Sequence, residues 1–136
     1  MIRVVLAPFI FVFHTFLQIT NLAFWGMLII ILGLVKLVMP NGKIKTFWNK
    51  IMHACMFAFG RISVLMIRLF NNVRIVNQIH GELAKNSWYL IIANHLSYLD
   101  IILLIEFATY RIPAPKFFLK KELIWLPFVG LGAWAL

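Results

Sequence analysis

The stretch "NNVRIVNQIHGELAKNSWYLIIANHLSYLD", residues 71–100, decides how the chain is read, because the character of the sequence changes there. Before it, long apolar runs have helical length. Within it, two short β-branched and aromatic runs, Val73 to Ile79 and Trp88 to Ala93, flank the turn-rich "HGELAKNS". Such runs bounded by turn residues predict two strands joined by a loop. "SYLDIILLIEFATY" then has the length and apolar density of a helix, "IPAP" ends it, and "KFFL" suggests a third short strand. "KKELIWLPFVGLGAWAL" opens another helix, interrupted near Pro127 and Gly130. Strands alternating with helices predict an α/β fold.

In that frame His95 follows a strand and Asp100 sits in the first turn of the next helix, which would bring the two side chains together at the carboxyl edge of a sheet. A neutral imidazole can take a proton from a hydroxyl, and a carboxylate on its other nitrogen fixes the tautomer and stabilises the imidazolium. The pair could thus activate an alcohol. Asp100 has a second reading: Ser97 to Asp100 matches the S-x-x-D capping box, in which the carboxylate only caps the helix.

Working outward, 63% of the 136 residues are apolar and the mean hydropathy is +0.94, values that place part of the chain in a membrane. Of the 13 Lys and Arg residues, eight (Arg3, Lys36, Lys43, Lys45, Lys50, Arg61, Arg68, Arg74) precede the first acidic residue, Glu82. Positive charge beside apolar segments suits an anionic lipid leaflet and argues against nucleic acid as a partner. The single Cys55 excludes an internal disulfide, reads as apolar filler, and gives no metal site. Arg3 ahead of an apolar run resembles the start of a signal peptide, but no clear cleavage site follows, so the segment is expected to be retained.

Residues 4–39 are nearly continuously apolar, and one helix over them would reach roughly 54 Å, well beyond a hydrocarbon core of about 30 Å. The polar cluster His14, Thr15, Gln18, Thr20 and Asn21 lies midway, which predicts two shorter helices meeting near Thr20 and Asn21. The rival is one span from about Leu22 to Met39. Either arrangement puts the remainder of the chain in the cytoplasm. His14 and Gln18, one turn apart, suit hydrogen bonds between packed helices better than a polar path. "PNG" at 40–42 breaks the helix. Beyond it Lys43, Lys50, Arg61 and Arg68 are spaced 7, 11 and 7 residues, each step returning to nearly the same direction on a helix. That basic stripe on an apolar cylinder predicts a helix lying in the interface, the alternative being a core helix with a basic solvated face. Residues 1–70 are therefore expected to form membrane-embedded and interfacial helices, and residues 71–136 a separate α/β part.

"NHLSYLD" followed by "FFLKKELIWLPFVG" resembles the first two sequence blocks of the glycerolipid acyltransferase family, which includes lysophosphatidate and lysocardiolipin acyltransferases. The run from Trp88 to Leu136 is most similar to bacterial inner-membrane members related to lysocardiolipin acyltransferase. The resemblance implies that His95 is the general base on a glycerol hydroxyl and Asp100 its orienter. Asn94 and Ser97 match positions that shape the loop. Lys120, Glu122, Leu123, Pro127 and Gly130 match the second block, whose lysine is implied to hold an anionic substrate or acyl donor; Lys120 and Lys121 are both candidates for it, and a solvated lysine pair is the plainer account. Acyl-CoA or acyl carrier protein is implied as co-substrate, with no bound cofactor or metal, and a lysophospholipid as acceptor. The implied location is the bacterial inner membrane, with the catalytic part on its cytoplasmic face. The family's third block, an F-P-E-G-T-R-like motif, is expected downstream of Gly130. The sequence ends at Leu136, so it is expected to be the N-terminal part of a longer acyltransferase. A non-catalytic membrane or interaction protein is the competing expectation.

Overall fold

The computed structural model describes residues 2–94 and 96–136, with side chains from residue 6 onward. Helix α1 spans Ile2–Leu37 and α2 spans Lys43–Asn71. They are followed by α3, Tyr98–Ala108, a 3-10 turn, Lys121–Trp125, and a short α4, Gly130–Ala135. No strand forms among the described residues, so the expected α/β fold is corrected to an all-helical one.

The physical reason lies in what a strand requires. β-branched and aromatic side chains favour a pleated, half-buried surface, but a strand exists only where another backbone completes its hydrogen bonds. Val73–Ile79 and Trp88–Ala93 find no such partner among the described residues, and 116–119 is likewise without regular structure. Their side chains stay on the outside: Trp88 is fully exposed and Ile92 is 88% exposed. Local order is limited to the turn between the runs, where Ser87 N–H donates to the Ala84 carbonyl and Ala84 N–H to the Tyr89 hydroxyl at 2.7 Å.

A second correction concerns α1, which is one unbroken helix through Thr20 and Asn21. The polar residues do not end it because α2 satisfies them. Asn21 Nδ2 donates to Ser63 Oγ at 2.9 Å and to the Phe59 carbonyl at 3.2 Å, and Gln18 Nε2 donates to the Ser63 carbonyl at 3.0 Å. Thr20 Oγ1 instead bonds back to the Phe16 carbonyl of its own helix. The hairpin turn therefore falls at residues 38–42, and α1 and α2 pack along their lengths. Near the turn Trp48 Nε1 donates to the Leu32 carbonyl; at the far end the His14 ring stacks on Phe70.

The side of α2 bearing Met52, Cys55, Met56, Ser63, Val64 and Ile67 is buried, while Lys43, Lys50, Arg61 and Arg68 are exposed. The basic stripe is thus a surface feature, and much of the apolar side opposite it is filled by protein. Ile29, Met52, Cys55, Met56, Ile105 and Ala135 form the core, drawn from α1, α2, α3 and α4. α3 approaches α2 closely because position 60 is glycine: a Cβ there would lie 2.6 Å from Ile105 Cγ2. α4 seats on α1, with Phe128 and Ala135 against Gly26 and Gly33.

Two stretches, Leu6–Leu37 and Lys43–Asn71, are long and apolar enough to cross a membrane. Near its start α1 keeps Phe9, Phe11, Val12, Phe13 and Phe16 more than half exposed, an apolar surface that suits acyl chains far better than water. These features together indicate membrane association.

Candidate active site

The site is built around the start of α3. Ser97 has the extended backbone of an N-cap, and the S-x-x-D capping box foreseen in the sequence forms. Asp100 Oδ2 accepts the Ser97 N–H at 2.8 Å and also the Leu96 N–H at 2.7 Å. One carboxylate oxygen thus satisfies two backbone donors, at a helix N-terminus where the peptide dipoles favour negative charge. The Asp100 N–H in turn donates to the Ser97 carbonyl at 3.1 Å.

This arrangement alters the choice between cap and orienter. Capping falls on Oδ2, and an ionised carboxylate offers about four lone-pair sites over two oxygens, so a cap does not exhaust what Asp100 can accept. Through Leu96 the carboxylate also grips the backbone one residue beyond position 95. His95 itself lies outside the described residues. Of the two positions expected to shape the loop, Ser97 is the N-cap, and Asn94 is exposed, immediately before His95.

α3 is a firm platform for this loop. Ile105 fills the notch at Gly60, Ala108 is fully buried, and the helix ends with the Thr109 N–H shared between the Ile105 and Glu106 carbonyls. Lys120 and Lys121 lie elsewhere. Lys120 precedes the 3-10 turn with an extended backbone, Lys121 begins it, and both are exposed. That turn packs on α4 and makes no contact with α3 among the described elements, so the structure does not bring the two lysines to Asp100. It does give a reason for the glycine of the same block: a side chain at Gly130 would strike the Leu123 and Ile124 carbonyl oxygens, so only glycine lets α4 fold back on the turn.

Sequence reasoning missed a groove of about 510 Å³ beside the first turn of α3. Leu99 and Ile102, on either side of Asp100, line it with Ile19, Leu22, Phe59 and Ile67. Its polar lining comes from His14, Gln18 and Asn71, where the Gln18 amide lies 3.1 Å from His14 Nε2 and Asn71 Nδ2 lies 3.5 Å from His14 Nδ1. The apolar periodicity of the three helices was readable; that their faces leave a gap at this corner was not. Among the described residues no group of His, Cys, Asp or Glu could hold a metal ion.

Residues 74–136 match the family model described as Acyltransferase. No curated protein and no solved structure matches the chain. The match begins three residues beyond the end of α2 and includes both the N-H-x-x-x-x-D stretch at 94–100 and the lysine-bearing 3-10 turn. The segment from Arg74 to Leu136, with the capped α3 at its centre, is thus similar to the acyltransferase family.

Proposed function

We propose that this chain carries the catalytic base of a glycerolipid O-acyltransferase, which moves an acyl group from an acyl-CoA or acyl carrier protein thioester to the free hydroxyl of a lysophospholipid. His95 takes the hydroxyl proton as the oxygen attacks the thioester carbonyl. The new C–O bond forms, the C–S bond breaks, and the proton passes to the departing thiolate. Asp100 orients the imidazole and stabilises its charged form. The reaction takes place at the cytoplasmic face of a bacterial inner membrane, where acceptor and product both reside, and Lys120 or Lys121 holds an anionic part of the substrates.

The observation that carries this reading is the acyltransferase match over the stretch that contains Asn94, His95, Ser97 and Asp100. Two features support it. Asp100 is pinned by the helix cap, which gives its carboxylate a fixed position beside the loop. The groove flanked by Leu99 and Ile102 is within the range of about 300–1,000 Å³ of small-molecule sites and is mainly apolar, as an acyl chain requires.

The test is transfer of radiolabelled acyl groups from acyl-CoA, or from acyl carrier protein, to a lysophospholipid in membranes containing the chain, compared with His95→Ala. Loss of a general base costs about 10²–10⁴-fold. Equal product from both proteins would remove the catalytic reading and leave a non-catalytic membrane protein.

A further inference from the structure

A second cluster of functional groups lies outside the N-H-x-x-x-x-D and K-x-E-L stretches, on the basic side of α2. A recess of about 190 Å³ is lined by Ala54, Phe57, Ala58 and Arg61 of α2, by Lys85 of the turn between the two unpaired runs, and by Thr109 and Tyr110 after α3. Three segments far apart in sequence therefore deliver two cations and a phenol to one small concavity. Arg61 Nη1 donates to the Tyr110 hydroxyl at 3.0 Å. The Arg61 guanidinium carbon lies 5.5 Å from the centre of the Tyr110 ring and the Lys85 ammonium 5.0 Å from it.

Two like charges gathered on one ring repel each other, and the quadrupole of a tyrosine returns only about 0.5–1 kcal/mol per cation at an exposed site. Neither cation forms an ion pair with another described residue. Tyr110 also holds a positive φ of 69°, a backbone conformation costly for a bulky residue. That φ belongs to the turn that ends α3, closed by the Arg111 N–H on the Ala108 carbonyl. The last carbonyls of α3 are used by the N–H and Oγ1 of Thr109 and by the N–H of Arg111 and Ile112, so they do not hold the two cations. Two cations and a phenol that line one concavity are a donor set suited to an anion.

We propose that Arg61, Lys85 and Tyr110 form a binding site for a phosphate group, borne either by a lipid head group or by a soluble phosphate ester. A guanidinium offers two parallel N–H donors to phosphate oxygens, an ammonium adds a point charge, and the phenol O–H adds one more donor. The site is independent of the acyl-transfer reading: it stands on the geometry of α2, the 81–87 turn and the end of α3.

The test uses the full chain in nonionic micelles with two probes, radiolabelled glycerol phosphate by equilibrium dialysis and fluorescent phosphatidate by anisotropy. Saturable glycerol phosphate binding identifies a soluble ester as ligand; saturable binding of phosphatidate alone identifies the head group. The double variant Arg61→Gln/Lys85→Gln is expected to weaken whichever probe binds by about tenfold or more. Tyr110→Phe, which keeps the ring and removes the O–H, should weaken it by a smaller factor. Lys50→Gln/Arg68→Gln removes the same amount of charge, from α2 outside the recess, and should change binding less than about twofold. Equal losses in the two double variants would reduce the effect to general electrostatics and overturn the site. So would failure of both probes to bind, or an Arg61→Gln/Lys85→Gln protein with native helicity and unchanged affinity.

Discussion

Gly60→Ala gives the sharpest test of how the helices position the site. An added methyl would lie 2.6 Å from Ile105 Cγ2 and 3.3 Å from the Glu106 nitrogen, whereas ordinary contact begins near 3.4 Å. α2 and α3 must therefore separate by about 0.8 Å at this crossing. Alanine in a helix interior is favoured over glycine by about 1 kcal/mol, while overpacking a tight contact costs about 1–3 kcal/mol. The neighbour cannot swing aside, because Cγ2 is a branch on the Cβ of a residue only 5% exposed and not the end of a flexible chain. The clash wins, and a net loss of about 1 kcal/mol is expected in denaturant titration of the micelle-embedded protein.

The functional effect should be larger than the structural one. Asp100 lies five residues before Ile105 on the same helix, roughly 7.5 Å along its axis, so moving α3 moves the carboxylate. A misplacement near 1 Å costs on the order of 10²-fold in a positioned reaction. Acyl transfer in nanodiscs should fall by about one to two orders of magnitude at unchanged protein level. Ile105→Leu removes the offending branch at similar volume and should return part of the loss when combined with Gly60→Ala. A Gly60→Ala protein with parental stability and activity would refute the argument, and so would a double variant no better than the single.

The contact between the long helices predicts energetic coupling between Asn21 and Ser63, which meet at 2.9 Å in a buried setting. A double-mutant cycle of Asn21→Ala and Ser63→Ala, followed by unfolding in detergent, should give about 0.6–1.7 kcal/mol, and additivity would show that the bond contributes nothing. At the site, Asp100→Ala deletes the acceptor of two backbone N–H groups and should lower stability by about 1 kcal/mol, whereas Asp100→Asn retains an acceptor and should lower it less. Both should depress acyl transfer strongly, because neither carries the charge that stabilises an imidazolium; an active Asp100→Asn protein would reduce Asp100 to a cap.

Local signals in the sequence were reliable wherever the structure is itself local. The turn at Pro40–Gly42, a helix within residues 97–110 and the Ser97–Asp100 box follow from propensity and capping over a few residues, and all appear, although α3 already ends at Ala108, short of "IPAP" at 112–115. The basic stripe of α2 is likewise a matter of period, and its four cations are exposed. Partnership could not be read in the same way. Val73–Ile79 and Trp88–Ala93 have the residues of strands, but a ladder is a relation between two backbones, and none is made among the described residues. His14, Gln18 and Asn21 looked like a break in α1 because a polar cluster inside an apolar run is costly alone; Ser63 and the Phe59 carbonyl, some 40 positions later, remove that cost. Arg61, Lys85 and Tyr110 carry no common motif, and only the crossing of α3 over α2 assembles them. Sequence by itself determined the turn at 40–42, the cap that starts α3 and the basic period of α2, since those depend on neighbours along the chain. Tertiary structure alone decided which polar groups are satisfied, which apolar runs remain bare and where charges converge, since those depend on residues that meet only after the chain has folded.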